Sequence, residues 1–443
     1  MPTIKSPLKA MQFKQATSFT AAHDKLSRID RWLLQRLHDS LGGPPIRLML
    51  ENGAEVSSTG DVPVATIVIR NRSTLFDLIR DPEGGFGEAY SGGRITVEGS
   101  LVAALEAAYR SMADSDSKSW YAKIVSRFLG YMQRNSVRGA RKNIHAHYDL
   151  NNDFFRLWLD SQLVYSCAYF PSTTMSLDEA QVAKMEYICG KLNLQPGERV
   201  VDIGSGWGAL ALHMAKHYGV NVRGFSISHE QVRWAQSRAQ EMNLGHCVEF
   251  IEDDYRNMSG KYDALVSVGM LEHVGLEHYA DIGRIIHRCL DPTGRGLLQT
   301  IGRNRPRAFN TWTRKRIFPG TYAPTLRQVM DIFEPWEFSI MDVENLRPHY
   351  AKTLEHWLER FEHSTNEVSR MFGDEFVRAW RLYLAGAIAG FRVGALQLFQ
   401  IVFARTACDR IPPTRGHLYR EEATERQEAS ASADLHLLHI GLP

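Results

Sequence analysis

The chain has 443 residues, of which 44% are hydrophobic and 23% are charged, and its formal net charge is +2. This length and composition are typical of a soluble globular protein with two or three domains. The near balance of charge gives no overall field that would attract nucleic acid, so we expect no nucleic-acid partner. Because the sequence shows neither a long apolar run nor an apolar signal core near its N-terminus, we expect a cytoplasmic protein.

The five cysteines lie far apart in the sequence and show no C-x-x-C spacing. This pattern argues against a disulfide framework and against a structural zinc site. We therefore predict that the protein binds no metal.

Residues 1–125 are predicted to form a smaller α+β N-terminal domain with an accessory, lipid-docking role. A strand is predicted over 64–69 and a short helix over 73–80, and the glycine pairs at 84–85 and 92–93 are interpreted as turns. The polar, basic segment 126–146 is interpreted as a linker. The polar segment 412–443 is predicted to be a disordered tail.

Residues 147–411 are predicted to form an α/β domain, because strand-like runs alternate with helical ones. This alternation is typical of a parallel, doubly wound sheet. The predicted strands number seven, and they cover 199–204, 220–228, 248–254, 262–269, 296–302, 337–343 and 397–405.

The first of these strands runs into a glycine-rich turn, Asp202 to Gly208, which precedes a helical run. Glycine tolerates unusual backbone angles and lets a ligand approach the main chain closely. The order Asp-x-Gly-x-Gly-x-Gly differs from the G-x-G-x-x-G pattern of dinucleotide sites. It favours S-adenosylmethionine, and the alternatives are another nucleotide or a purely structural turn.

Other polar residues follow the ends of neighbouring strands, where ligands of open α/β sheets bind. Ser226 and Gln231 follow the second strand, Asp254 and Tyr255 the third, and Glu272 the fourth. We predict that they share one cleft. The alternatives are that Asp254 is an ordinary turn acid and that Glu272 and its neighbour His273 belong to a helix N-cap region.

Four motifs make a family resemblance specific: HYDLNNDFF at 147–155, YSCAYF at 165–170, DIGSGWG at 202–208 and VGMLEHVG at 268–275. Residues from about 140 to 406 resemble the cyclopropane-fatty-acyl-phospholipid synthase family, which includes the mycolic acid methyltransferases. The first domain resembles that family only weakly. The resemblance implies a Rossmann-like class I S-adenosylmethionine methyltransferase domain with a seven-stranded sheet.

The resemblance also implies a reaction. In the family, a methyl group passes from S-adenosylmethionine to a cis double bond of a membrane lipid chain, a proton leaves to a bound bicarbonate, and the ring closes. The residues predicted to contact the cofactor are Tyr165, Ser166, Asp202, Gly204, Gly206, Ser226, Gln231, Asp254 and Tyr255. The residues predicted to hold bicarbonate or to act in catalysis are Cys167, Glu272, Gln299, Ile301 and Tyr350.

Two positions depart from the family pattern. Gln299 stands where the family usually has histidine, and Ala387 stands where it often has cysteine. Glutamine can donate to bicarbonate but cannot relay a proton near neutral pH. Methyl attachment is therefore the firmer expectation, and a methyl- or methylene-branched chain, including a furan fatty acid precursor, is the alternative to ring closure.

Aromatic side chains are predicted to face the cation that develops on the lipid, with ordinary core packing as the alternative. The candidates are Tyr148, Tyr165, Tyr169, Phe170, Trp207 and Tyr350.

A basic segment, Arg303 to Arg316, carries six cations, no acid, and the aromatic residues Phe309 and Trp312. We expect it to meet an anionic leaflet, so that the protein lies peripherally at the inner face of the membrane. The alternative is a solvated loop with a buried aromatic anchor. The expected partner is a phospholipid bilayer with unsaturated acyl chains, and the sequence leaves a homodimer open. Two rival functions are a soluble small-molecule methyltransferase and a catalytically silent lipid-binding protein.

Overall fold

The computed structural model describes residues 28–58, 62–116 and 151–419. The predicted linker at 126–146, Tyr148 and the part of the predicted tail beyond residue 419 lie outside these residues. The chain divides into two compact units. The first takes the described residues up to 116 together with 307–319 and 354–396, and the second takes the described residues of 133–306, 320–353 and 397–443.

The strands, numbered along the chain, are β1 (Arg47–Leu50), β2 (Glu55–Val56), β3 (Ala65–Ile69), β4 (Ile95–Gly99), β5 (Arg199–Ile203), β6 (Asn221–Ser226), β7 (Val248–Glu252), β8 (Tyr262–Val268), β9 (Leu290–Gly302), β10 (Ser339–Asn345) and β11 (Gln397–Ala404). The α-helices are α1 (28–40), α2 (Arg72–Arg80), α3 (Pro82–Ser91), α4 (Leu101–Asp116), α5 (Asn152–Arg156), α6 (Leu177–Leu192), α7 (Ala209–Tyr218), α8 (His229–Glu241), α9 (Tyr279–Cys289), α10 (Leu326–Met330), α11 (Arg347–His363), α12 (Thr365–Phe372) and α13 (Asp374–Arg392).

The first unit is built on a four-stranded sheet in the order β2-β1-β3-β4. The alternating burial of β3 places Ile67 and Ile69 in a core with Leu34 of α1 and Leu75 of α2. The predicted strand at 64–69 and helix at 73–80 are confirmed.

The expectation that residues 84–85 form a turn is wrong, because both glycines lie inside α3. Pro82 stands in the first turn of this helix, and the Asp81 side chain accepts a hydrogen bond from the Gly84 amide. These two N-terminal signals outweigh the low helix propensity of glycine.

The unit boundaries differ from those predicted along the sequence. Segments 307–319 and 354–396 group with the N-terminal residues, whereas the sequence pattern predicts that they belong to the methyltransferase domain. The physical reason is that α13 packs against α3 and α4. Helical periodicity identifies an apolar face and does not identify the partner that covers it.

The second unit contains a seven-stranded sheet in the order β10-β11-β9-β8-β5-β6-β7. The five neighbouring strands β7, β6, β5, β8 and β9 are parallel to one another. Strand β11 runs antiparallel to both β9 and β10. Helices cover both faces and bury apolar cores there. This arrangement confirms the predicted Rossmann-like α/β fold and all seven predicted strands, with ends displaced by several residues at most.

The prediction of a disordered tail from residue 412 is wrong for its described part. The Tyr419 hydroxyl lies 3.1 Å from that of Tyr187 on α6, and His417 Nε2 lies 3.2 Å from the Gly190 carbonyl oxygen. Polar composition alone does not reveal such tertiary contacts.

Candidate active site

One cavity in the second unit lies at the carboxyl ends of β5, β6, β7 and β8. All nine residues that the sequence predicted as cofactor contacts line it: Tyr165, Ser166, Asp202, Gly204, Gly206, Ser226, Gln231, Asp254 and Tyr255. Met270 and His273, which flank Glu272 in the chain, line it as well.

The glycine loop after β5 leaves room for a ligand at one position. Gly204, Gly206 and Gly208 all have positive φ angles, of 85°, 55° and 86°. A Cβ at Gly208 would lie 2.6 Å from Phe250, so this glycine is required by packing. A Cβ at Gly206 would meet no protein atom within 4 Å, although Gly206 lines the cavity. Open space beside the main chain is what a bound cofactor needs.

Lys184 of α6 is a cavity residue that the sequence analysis missed. Its Nζ donates to Ser166 Oγ at 3.0 Å, and Gln181 Nε2 donates to the Ser166 carbonyl at 2.9 Å. Burial lowers the pKa of Lys184 to about 8 and raises that of Asp202 to about 7, while the charge of Lys184 opposes the rise at Asp202. Gln181, Lys184 and Lys191 all lie on the buried face of α6. Polar residues on a helix face that is otherwise apolar are a signal that could have identified them.

The residues after β6 and β7 are fixed by local hydrogen bonds. Ser226 Oγ donates to Gln231 Oε1 at 3.0 Å. Asp254 Oδ1 accepts from the Arg256 amide at 3.0 Å and caps the short 3₁₀ turn that begins at Tyr255. Asp254 is therefore both the turn acid of the alternative interpretation and a cavity residue.

Glu272 lies buried at the end of β8. Its Oε1 accepts from the Ile301 amide at 2.5 Å, and its Oε2 is buried with no hydrogen-bond partner among the described residues. Burial raises the pKa of Glu272 to about 7 and lowers that of His273 to about 4. The 3₁₀ turn over 271–273 has no side-chain cap, which argues against the N-cap alternative.

Cys167 and Tyr350 are both buried. The Cys167 Sγ donates to the Ala168 carbonyl at 3.1 Å and lies 4.0 Å from Thr353 Oγ1, one turn beyond Tyr350 on α11. Thr353 Oγ1 also accepts from the Ala168 amide at 3.0 Å. Burial raises the pKa of the Cys167 thiol far above its usual range, so the group stays neutral. Thr353 carried no sequence signal.

Gln299 lies on β9, two residues before Ile301, and is buried. Its Oε1 accepts from Gln400 Nε2 of β11 at 3.0 Å. Gln400 Oε1 accepts in turn from Lys191 Nζ at 2.6 Å.

The aromatic candidates occupy two places. Tyr165 and Trp207 line the cavity. Tyr169 instead stacks on Tyr187 with ring centroids 4.2 Å apart.

Ala387, which stands where the family often has cysteine, belongs to the first unit and not to the unit that contains the cavity.

The basic segment has acidic partners within the first unit. Glu88 of α3 pairs with Arg316 at 2.8 Å and with Lys315 at 3.3 Å, and Glu83 pairs with Arg307. Trp312 is 4% exposed and packs in the core of this unit. The buried-anchor alternative is thus correct for Trp312, whose side chain is not exposed for contact with a membrane.

In residues 28–58, 62–116 and 151–419, no helix is long and apolar enough to cross a membrane. The same residues contain no group of three His, Cys, Asp or Glu side chains placed to hold a metal ion.

The chain is similar in sequence to a family model and to relatives from two bacteria. A family model described as mycolic acid cyclopropane synthetase matches residues 135–401. The cyclopropane-fatty-acyl-phospholipid synthase of Escherichia coli (strain K12) is 35% identical over 358 residues, which cover 80% of this chain and 91% of that protein. The tuberculostearic acid methyltransferase of Mycobacterium tuberculosis (strain ATCC 25618 / H37Rv) is 33% identical over 378 residues, covering 82% and 88%.

Among solved structures, mycolic acid cyclopropane synthase CmaA1 complexed with SAH and CTAB is similar with a TM-score of 0.57 and 32% identity, covering 60% of this chain and 98% of that one. The residues matched by the family model include the glycine loop, Glu272 and Gln299.

Proposed function

Because this chain belongs to the mycolic acid cyclopropane synthetase family, we propose that it is an S-adenosylmethionine-dependent C-methyltransferase acting on the cis double bond of unsaturated acyl chains in membrane phospholipids. The product is a cyclopropane fatty acyl chain. The observation that supports this most strongly is the convergence of residues from six chain segments on one cavity, next to the buried carboxyl of Glu272.

The cavity suits S-adenosylmethionine, which supplies an electrophilic methyl group on a sulfonium. Gly206 leaves room beside the main chain, and Tyr165 and Trp207 offer aromatic faces to a positive charge. SAH, the product left after methyl transfer, is present in the similar CmaA1 structure.

The buried groups of this chain favour attack by a weak nucleophile such as an alkene. Phe155 and Trp158 are fully buried against Tyr165, and Phe154 is buried against both of them, so the three rings keep water from this wall of the cavity. A dry, preorganised site strengthens the attraction between a developing cation and nearby carboxylate or aromatic groups. A new carbon–carbon bond forms as the carbon–sulfur bond breaks, and loss of one proton with ring closure completes the product.

Bicarbonate as the general base forms part of the proposal. The unpartnered Oε2 of Glu272 supports it, since a buried polar atom without a partner is costly unless a ligand satisfies it. With a pKa near 7, Glu272 retains a proton in a large fraction of molecules at neutral pH and can donate it in a hydrogen bond to an anion. The Ile301 amide already donates to Glu272, so it positions the carboxyl group.

Contact with the inner face of a membrane follows from the proposed substrate, because the acyl chain must leave the bilayer to reach the cavity. The cations of the basic segment are the candidate contacts, and the ion pairs that Lys315 and Arg316 make with Glu88 compete with contact to lipid.

The experiment is product analysis after incubation with S-adenosylmethionine and vesicles of monounsaturated phospholipid. A cyclopropane and a methylene branch add the same CH₂ unit, so proton NMR of the isolated acyl chains must separate them. We expect ring protons in the wild-type product. Vinylic methylene signals alone would favour the branched alternative, and the absence of methyl transfer to lipid would refute the function.

A further inference from the structure

Gln299 begins a chain of buried polar side chains that extends away from the candidate active site. Gln299, Gln400 and Lys191 are each at most 3% exposed. Lys191 Nζ donates to Gln400 Oε1 at 2.6 Å and to Glu344 Oε2 at 2.5 Å, and it lies 3.5 Å from Asp342 Oδ2. The chain thus links β9, β11, α6 and β10.

The chemistry of lysine fixes the direction of the hydrogen bonds that join Lys191, Gln400 and Gln299. An ammonium group can only donate, so the side-chain oxygen of Gln400 must face Lys191. The Gln400 amide nitrogen must then face Gln299, whose own oxygen accepts from it at 3.0 Å. It follows that the Gln299 amide nitrogen is the end left free to donate elsewhere, and it makes no hydrogen bond to a residue that the structure describes.

The free end of Gln299 lies on a face of the sheet that includes part of the candidate site. Side chains alternate along a strand, so Gln299 points to the same face as Leu297 and Ile301. Leu297 packs in the core that α6 covers. The loop that carries Cys167 is tied to α6 as well, through Gln181.

We propose that Lys191 and Gln400 are positioning residues that hold Gln299 as an obligate hydrogen-bond donor toward the anion of the active site. The inference rests on the proposed function, because the anion is the bicarbonate proposed above. A carboxamide presents a donor or an acceptor with nearly equal ease, and an acceptor turned toward an anion would repel it. The buried ammonium group of Lys191, acting through Gln400, fixes which end of the Gln299 carboxamide faces the anion.

Glu344 and Asp342, the two acidic residues near Lys191, each have another partner. Lys191 is therefore not needed to satisfy them, and its burial calls for a further explanation. Glu344 accepts from the Tyr187 hydroxyl at 3.0 Å, and Asp342 pairs with Arg415. Burial is unfavourable for a lysine ammonium, and it lowers the pKa of Lys191. In this proposal, the buried ammonium group of Lys191 serves to fix the orientation of the Gln400 side chain.

The test compares the Kd of bicarbonate, measured by calorimetry on the full chain loaded with SAH, among variants. Gln400→Glu gives Lys191 an acceptor but also presents an acceptor to Gln299, which must then rotate and turn its oxygen toward the anion. Lys191→Met removes the constraint and leaves Glu344 and Asp342 their other partners. The matched control is Gln397→Glu, a buried glutamine of the same strand whose oxygen accepts from Asn345 and would still do so as a carboxylate.

We expect the Kd to rise about tenfold or more in Gln400→Glu and several-fold in Lys191→Met, which is the effect of losing one hydrogen bond to a charged group. The control should bind bicarbonate like the wild type, and all three variants should keep their affinity for SAH. An equal loss of bicarbonate affinity in Gln397→Glu would overturn the inference, because any added negative charge on β11 would then be enough to weaken binding.

Two further variants separate this inference from the proposed function. If Gln299→Leu weakens bicarbonate binding while Gln400→Glu and Lys191→Met do not, the positioning role is wrong and the bicarbonate site stands. If neither Gln299→Leu nor Glu272→Ala changes the Kd, the bicarbonate site itself is wrong, and the inference fails with it.

Discussion

Lys184 Nζ donates to Ser166 Oγ at 3.0 Å in the wall of the cofactor cavity, and its charge also acts on Asp202. The contact joins α6 to the loop that carries Tyr165, so a residue outside the recognised motifs holds a motif in place. A buried lysine with a lowered pKa is stable only if nearby groups compensate for its desolvation.

We therefore predict that Lys184→Met weakens SAH binding about tenfold, because the Tyr165–Ser166 loop loses its charged hydrogen bond. Calorimetry with SAH measures the effect. In the Lys184→Met background, Ser166→Ala should add little further loss, since the two residues share one interaction. Full additivity of the two losses would show that they act independently. Lys216→Met, an exposed lysine on α7, is the control and should bind normally.

A second prediction concerns the glycine loop. Gly206→Val should abolish SAH binding, because the new side chain enters open cavity space next to the main chain. Gly197→Val is the matched control: its φ is 82°, a Cβ there also meets no atom within 4 Å, and it does not line the cavity. Both variants carry comparable backbone strain. If both bind SAH alike, Gly206 is not a cofactor contact.

A third prediction concerns catalysis by Glu272. Glu272→Ala removes the carboxyl group and should lower the rate of methyl transfer roughly a hundredfold, the range observed when one preorganised polar group is lost. SAH affinity should stay within a few-fold of the wild type, because Glu272 lies outside the cavity lining. Single-turnover rates on lipid vesicles measure the loss. Full activity of the variant would exclude Glu272 from the reaction.

The same variant should change how stability depends on pH. The folded-state pKa of Glu272 is about 7, against a reference value of 4.5, so the folded protein keeps a proton that the unfolded chain has released. The free energy of unfolding should therefore fall as pH rises from about 4.5 to about 7, by about 3 kcal/mol from this group, and then level off.

Glu272→Ala should lack this component, so the difference in unfolding free energy between wild type and variant should vary over that range. Urea titrations at several pH values measure it. The difference between the two proteins is the relevant quantity, because burial raises the pKa of Asp202 to about 7 as well and gives both a further slope. A constant difference would contradict a raised pKa at Glu272.

A fourth prediction concerns the membrane surface. Replacing Arg314, Lys315 and Arg316 with glutamine should weaken binding to anionic vesicles at low salt, and the loss should shrink at high salt because of screening. Glu88→Gln tests the ion pairs directly. It removes the ion pairs that Glu88 makes with Lys315 and Arg316, leaves Arg316 its ion pair with Glu375, and should strengthen vesicle binding. Sedimentation with vesicles measures both. Unchanged binding in both variants would show that this segment does not contact lipid.

A last prediction concerns Gln299. Gln299→His restores the usual residue of the family and adds a group that can share a proton near neutral pH. We expect it to change the ratio of ring-closed to branched product more than the total rate. Proton NMR of the acyl chains measures the ratio, and an identical ratio would exclude this position from control of the product.

The sequence by itself determined the sheet and the residues around the cofactor cavity, because both depend on local signals. Apolar runs of strand length specified β5 to β11, and the carboxyl ends of parallel strands necessarily lie at one edge, so Asp202, Gln231 and Asp254 had to converge. Only the tertiary structure decided the long-range pairings. Lys184 with Ser166, Lys191 with Gln400, and Trp312 in the core of the first unit join segments whose spacing along the chain carries no signal. Only the packing of the whole folded chain decides which partner covers a helix face. The same packing decides which polar group satisfies a buried lysine.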